Sequence, residues 1–130
     1  METEILKEKK CTPCEGNESP LKQDEIKSYM ANISDEWKVL EDKRIRRNLR
    51  FNDFRKNMEF VNKVAGLAED EGHHPDLFLS YNKLEMTLTT HAIGGLSEND
   101  FIMAAKSYDN GIVFRSLRSS SQRTVVTRSR

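Results

Sequence analysis

The sequence predicts an α+β domain: a four-stranded antiparallel sheet with three helices packed on one face, in the order α-β-β-α-β-β-α. Two observations carry this expectation. Two pairs of short strand-like runs, each joined by a turn, alternate with segments whose apolar residues recur at three- and four-residue steps. Hairpin-linked strands with helices between them build an antiparallel rather than a parallel sheet. At 130 residues the chain has the length of one domain.

Residues 1–18 read as a charged, flexible leader that holds Cys11-Thr12-Pro13-Cys14. Gly16-Asn17-Glu18-Ser19-Pro20 is turn chemistry, with Ser19 placed to cap a helix whose first position is Pro20. Leu21, Ile26, Tyr29, Met30 and Ile33 continue that helix over about residues 20–32. Trp37, Val39 and Leu40 predict a short strand ending at Glu41-Asp42-Lys43. Ile45, Leu49 and Phe51, set among Arg44, Arg46, Arg47 and Arg50, predict a second strand with one charged, solvent-facing side.

Asn52 or Asp53 then caps the clearest helix, over about residues 53–71. Phe54, Met58, Val61, Val64, Ala65 and Ala68 form its apolar stripe, and Gly72 is a left-handed stop. Leu77–Tyr81 is the third strand. In the fourth, Leu84, Met86, Leu88 and Thr90 alternate with Glu85, Thr87 and Thr89. Gly94-Gly95 turns the chain. Ser97, with Asp100 three residues on, resembles a capping box opening a last helix through Phe101, Ile102, Ala104 and Ala105, which Asp109-Asn110-Gly111 ends. The expected domain is 19–109, followed by a tail, 110–130.

Composition narrows the function classes. Apolar residues are 36% and charged residues 32%, which allows a modest core under a heavily charged exterior. The 21 basic and 21 acidic residues cancel, which excludes a uniformly basic nucleic-acid binder. Residues 112–130 nevertheless carry five arginines and no acid, leaving 16 basic against 21 acidic residues in 1–111. This Ser/Arg-rich tail is expected to be disordered and solvated rather than a nucleic-acid arm. No apolar run approaches the ~18 residues of a membrane span. The acidic first residues form no secretory signal, so a reducing, cytoplasmic setting is expected.

All three histidines, His73, His74 and His91, fall in one stretch. If the fourth strand returns antiparallel beside the third, its end carries His91 back to where His73 and His74 begin. Imidazoles give and take protons at neutral pH, so one cleft with three of them suits acid–base chemistry. Glu69, one helical turn before His73, is placed to orient an imidazole. On spacing alone, a polar loop and a strand end account for the same histidines equally well. Cys11 and Cys14 have the gap of a zinc knuckle but lack a second pair, so two surface thiols are expected and no metal. An open strand edge or helix face is the expected oligomer contact.

The spacing Glu69, three residues, His73-His74-Pro75, five residues, Tyr81, nine residues, His91, eight residues, Asp100 resembles the signature of the pterin-4a-carbinolamine dehydratases. Tyr81-Asn82-Lys83-Leu84, the run from Thr90 to Ser97, and Trp37 followed by Ile45-x-x-x-Leu49-x-Phe51-x-x-Phe54 are similar to that family at the same places. The resemblance covers about residues 20–106. The leader resembles an N-terminal extension of some bacterial-type members, and 107–130 falls outside it.

The resemblance implies a hydro-lyase that dehydrates 4a-hydroxytetrahydrobiopterin to quinonoid dihydropterin, recycling the cofactor of aromatic amino acid hydroxylases. It implies three helices on a four-stranded sheet, homodimers or homotetramers, a small-molecule pterin substrate, and no metal or organic cofactor. His73, His74 and His91 would be catalytic, with His73 and His91 as the acid/base pair. Glu69 and Asp100 would support them, and His74, Tyr81 and Thr90 would contact the substrate. The other reading is a non-catalytic dimerisation or scaffold module of the same fold, acting as a transcription-factor cofactor.

Overall fold

The computed structural model describes residues 3–13 and 16–109. Cys14 and the expected tail lie outside the described residues. The elements are α1 (Thr3–Lys7), α2 (Gln23–Met30), β1 (Lys38–Leu40), β2 (Arg44–Arg50), α3 (Phe54–Glu71), β3 (Asp76–Ser80), β4 (Lys83–Leu88) and α4 (Glu98–Asp109), with one 3₁₀ turn at His91–Ile93. The predicted α-β-β-α-β-β-α order is present, with α1 added in the leader. All strand pairs are antiparallel in the spatial order β1-β2-β4-β3, so β4 slots between β2 and the edge strand β3. Among the described residues no helix is long and apolar enough to cross a membrane.

Alternation along the strands decides the two faces. Ile45, Leu49, Leu84, Met86 and Leu88 point into the core with Ile26, Trp37, Phe60, Val64 and Phe101. Arg44, Arg46, Asn48 and Arg50 occupy the other face of β2. Thr87 on that face is buried because the Arg46 Nε–H donates to its hydroxyl at 2.9 Å and the guanidinium covers it. The β1–β2 connection turns through Glu41 and Asp42, both at positive φ (57° and 59°), and closes with the Lys43 N–H on the Leu40 carbonyl. Two left-handed central residues match the twist of the strands they join.

Helix α3 starts and stops where local chemistry says it should. Asp53 accepts the Lys56 N–H at 2.9 Å, and Gly72, at φ 68°, returns its N–H to the Ala68 carbonyl. Its buried stripe, however, is Asn57, Phe60, Val64, Leu67, Ala68 and Glu71. The expected stripe is rotated by about one position, leaving Phe54 and Ala65 exposed. Two of the inward residues are polar, which apolar periodicity does not register, and apolar Phe60 and Leu67 lie on their side of the helix rather than on the expected stripe. Helix α2 also begins later than Ser19-Pro20 predicts, at Gln23. Pro20 and Leu21 are engaged elsewhere. The Leu21 N–H bonds the Leu96 carbonyl at 2.9 Å, and Pro20 packs so closely on Gly95 that a Cβ there would sit 2.7 Å from the ring.

The expected flexible leader is drawn across α4. Leu6 is buried in the core, and the Lys9 ammonium meets Glu98 at 2.6 Å. At the opposite end of the β3–β4 hairpin, Tyr81 adopts φ 49°, uncommon for a bulky residue. Fully buried Asn57 holds that turn by donating from Nδ2 to the carbonyls of Tyr81 and Lys83, both at 2.9 Å, while the Phe51 N–H takes the Asn82 carbonyl. Asn57→Ala strips these carbonyls of their donor, so we expect a loss of about 1–3 kcal/mol in urea unfolding with little change in the m-value.

Candidate functional site

The antiparallel β3–β4 hairpin places the start of β3 and the end of β4 at one end of the sheet, with Asp76 opposite Thr87. His73 and His74 lie just before that start, released from α3 by Gly72 and Pro75. His91 lies just after that end, in the 3₁₀ turn rather than on the strand. The N-terminus of α4 brings Asp100 to the same end.

Asp100 has no solvent exposure and organises what surrounds it. Its Oδ1 meets His73 Nε2 at 2.6 Å. Its Oδ2 accepts the Thr90 hydroxyl at 2.8 Å and the Ser97 N–H at 3.0 Å. The expected capping box is therefore half made. The acid returns to the Ser97 N–H, but the Ser97 hydroxyl faces Thr90 Oγ1 at 2.7 Å. Since the Thr90 proton goes to Asp100, Ser97 is the donor in that pair. A carboxylate only accepts, so the Nε2–H of His73 donates to Asp100, and Nδ1 is the nitrogen that this bond leaves over. The His73 side chain is only 11% exposed, so the bond to Asp100 is largely sheltered from solvent.

The other two imidazoles are open. His74 is 58% exposed and its Nε2 lies 2.7 Å from Glu69 Oε2. His91 is 75% exposed, with Nε2 4.0 Å from Asp76 Oδ2. Each histidine thus has its own carboxylate. Glu69, expected to orient an imidazole, meets His74, while Asp100 takes His73. Asp76 was missed by sequence reasoning; its place opposite Thr87, one step from the strand end, is the signal that could have found it. Being solvent-exposed, the Glu69 and Asp76 contacts orient more than they bind.

Of the other residues expected to contact substrate, one joins the Asp100 bonds and one lies at the far end of the hairpin. Thr90 is buried, its hydroxyl consumed by Asp100 and Ser97. Tyr81 stands at the far end of the hairpin, 62% exposed and a five-residue strand away from His74, on the order of 17 Å at the usual strand rise. Among the described residues no three His, Cys, Asp or Glu side chains are placed to hold a metal.

Beside the site lies a second polar cluster. Glu71, two residues before His73, is buried against Lys106 of α4, their Oε2 and Nζ 2.5 Å apart, and its Oε1 accepts the Cys11 N–H at 2.9 Å. Asn99, next to Asp100, accepts the Thr12 N–H at 3.1 Å and donates to the Thr12 carbonyl at 2.7 Å. Burial, then the Glu71 charge, pushes the Cys11 thiol up to about 12, so it stays protonated and donates to the Asn99 carbonyl. For Glu71, burial acts to raise the carboxyl, but the Lys106 bond, the Cys11 N–H and the charges of Lys106 and Lys10 outweigh it and hold the group below its ordinary value.

A folded-state value lowered in this way stabilises the protein above the ordinary carboxylate range, and the stabilisation is lost as pH falls through that range. Glu71→Gln leaves Lys106 buried without its counter-charge. We expect about 3 kcal/mol lower stability at pH 7 in urea unfolding, with a smaller difference at pH 4.

Known proteins resemble this chain in sequence and in fold. The family model described as pterin 4 alpha carbinolamine dehydratase matches residues 19–109. A protein of Nitrosospira multiformis named pterin-4-alpha-carbinolamine dehydratase is 50% identical over 108 residues, covering 82% of this chain and 94% of that protein. One of the same name from Alkaliphilus metalliredigens is 48% identical over 101 residues, 78% and 91% of the two chains. The crystal structure of a transcriptional coactivator/pterin dehydratase from Brucella melitensis superposes with a TM-score of 0.67 at 32% identity, over 74% of this chain and all of that one.

Proposed function

The chain belongs to the pterin-4a-carbinolamine dehydratase family, and on that premise we propose that it eliminates water from 4a-hydroxytetrahydropterin, giving quinonoid dihydropterin. The observation that carries this reading is the gathering of three imidazoles, each beside a carboxylate, at one end of the sheet.

The reaction needs an acid and a base and little else. The carbon–oxygen bond at C4a breaks as the hydroxyl takes a proton and leaves as water. The N5 proton passes to a base, and its electron pair forms the new double bond to C4a. Positioned imidazoles contribute typically ~10²–10⁴-fold to such transfers. His73 and His91 are the proposed acid/base pair, working from opposite sides of the ring so that either configuration of the hydroxyl is served. His73 acts through Nδ1, because Asp100 occupies Nε2. His74, held by Glu69, takes the pterin and shares its polarisation. Thr90 supports the site through Asp100 rather than by touching substrate. Tyr81 would reach a pterin only at another site, such as that of a second copy in a homodimer or homotetramer. The proposed role is recycling of tetrahydrobiopterin for aromatic amino acid hydroxylases in the cytoplasm.

A second reading rests on β3, an edge strand among the described residues with Phe78 66% exposed, and on the coactivator half of the Brucella protein's description. In it the fold serves as a dimerisation scaffold for a transcription factor. Stopped-flow ultraviolet absorbance of freshly generated 4a-hydroxytetrahydropterin separates the two. We expect wild type to accelerate dehydration over buffer and His74→Ala or His91→Ala to lose about 10²-fold or more. A well-folded wild type with no acceleration removes the enzyme reading.

A further inference from the structure

Two consecutive residues of the leader bond the two residues that flank the His73–Asp100 pair. Cys11 gives its N–H to Glu71, two positions before His73. Thr12 is gripped on both its N–H and its carbonyl by Asn99, the neighbour of Asp100. Glu71 lies in the last turn of α3 and Asn99 in the first turn of α4, so the leader spans the junction across which His73 and Asp100 meet. Glu71 is in turn locked to Lys106, six residues further along α4 than Asp100. These bonds are sheltered: Glu71, Asn99 and Lys106 are all buried.

We infer that the leader is a working part of the site, and that Asn99 and Glu71 are positioning residues: by holding Cys11 and Thr12 they fix the spacing of α3 and α4 that keeps His73 Nε2 on Asp100 and so sets the angle of the ring. This rests on the dehydratase reading for its kinetic consequence but not for its geometry. An imidazole whose tautomer and angle are set by one carboxylate works only while the two helices carrying the pair keep their spacing. The exposed Lys9–Glu98 ion pair, also between leader and α4, lies outside this linkage and contributes little.

The test uses full-length chains. Asn99→Ala removes both bonds to Thr12; Thr12→Pro removes the N–H from the leader side and leaves every residue of α3 and α4 native; Lys9→Ala is the control. Three quantities are read: amide hydrogen exchange at Cys11, the ring ¹⁵N signals of His73, and kcat and KM for pterin dehydration. We expect faster exchange at Cys11 in the first two variants, and His73 ring signals that change from one tautomer with the proton on Nε2 to an average of two. With them, kcat should fall about ten- to a hundredfold at a KM within about twofold of wild type, and Lys9→Ala should match wild type throughout. Fast exchange at Cys11 with native His73 signals and native kcat would overturn the inference and leave the leader as a cover. Should Asn99→Ala not fold, Thr12→Pro decides alone. If wild type does not dehydrate the pterin at all, the proposed function fails, while exchange and the ring signals still decide the coupling.

Discussion

A carboxyl group with no solvent exposure is tolerated only where its oxygens are bonded, and Asp100 meets that condition with donors from three separate places. His73 follows α3, Thr90 follows β4, and Ser97 precedes α4. Satisfying one buried group therefore pins three chain junctions to a single point. The half-made capping box follows from the same demand: the Ser97 hydroxyl is drawn to Thr90, whose own proton is committed to Asp100. Removing any one donor would leave the others around an under-satisfied charge, so these three residues act as a unit.

Asp100 is one of three buried polar residues with a common role. Asn57 ties α3 to the β3–β4 turn, Glu71 ties α3 to α4 and to the leader, and Asp100 ties α4 to the loops around the histidines. Apolar packing alone would let a helix slide or rotate by a fraction of a turn at small cost. A side chain that must find two particular carbonyls, or one particular ammonium, does not allow it.

The same residues explain what was legible in the sequence. The span of α3 was readable because Asp53 and Gly72 act on their immediate neighbours. Its buried face was read one position off: Asn57 and Glu71 belong to it and look like surface residues, and apolar residues on both sides of the helix, Phe60 and Leu67 against Phe54 and Met58, fit a helical period. The start of α2 was missed because Pro20 and Leu21 are held by Gly95 and Leu96, across the fold rather than along the chain. The meeting of the histidine segments at one sheet end follows from hairpin geometry and could be drawn from spacing. Which carboxylate serves which imidazole could not, since that depends on side chains from three elements. Thr90 and Tyr81 entered through resemblance, which carries no information on direction or burial. The leader's charge suggested flexibility, whereas Leu6 is buried in the core.

The site is also divided in how far apart along the chain its parts lie. His74, Asp76 and His91 belong to one hairpin and its flanks, a local unit whose loop closure costs little entropy. The central pairing of β4 with β2 spans residue 45 to residue 88, and Asp100 arrives only with α4. Closing such long-range contacts costs more chain entropy than closing the hairpin. The exposed imidazoles therefore depend on local chain closure, whereas the buried one owes its orientation to the docking of α4. A chain that has not finished folding would hold the parts of the site without the order that makes them work.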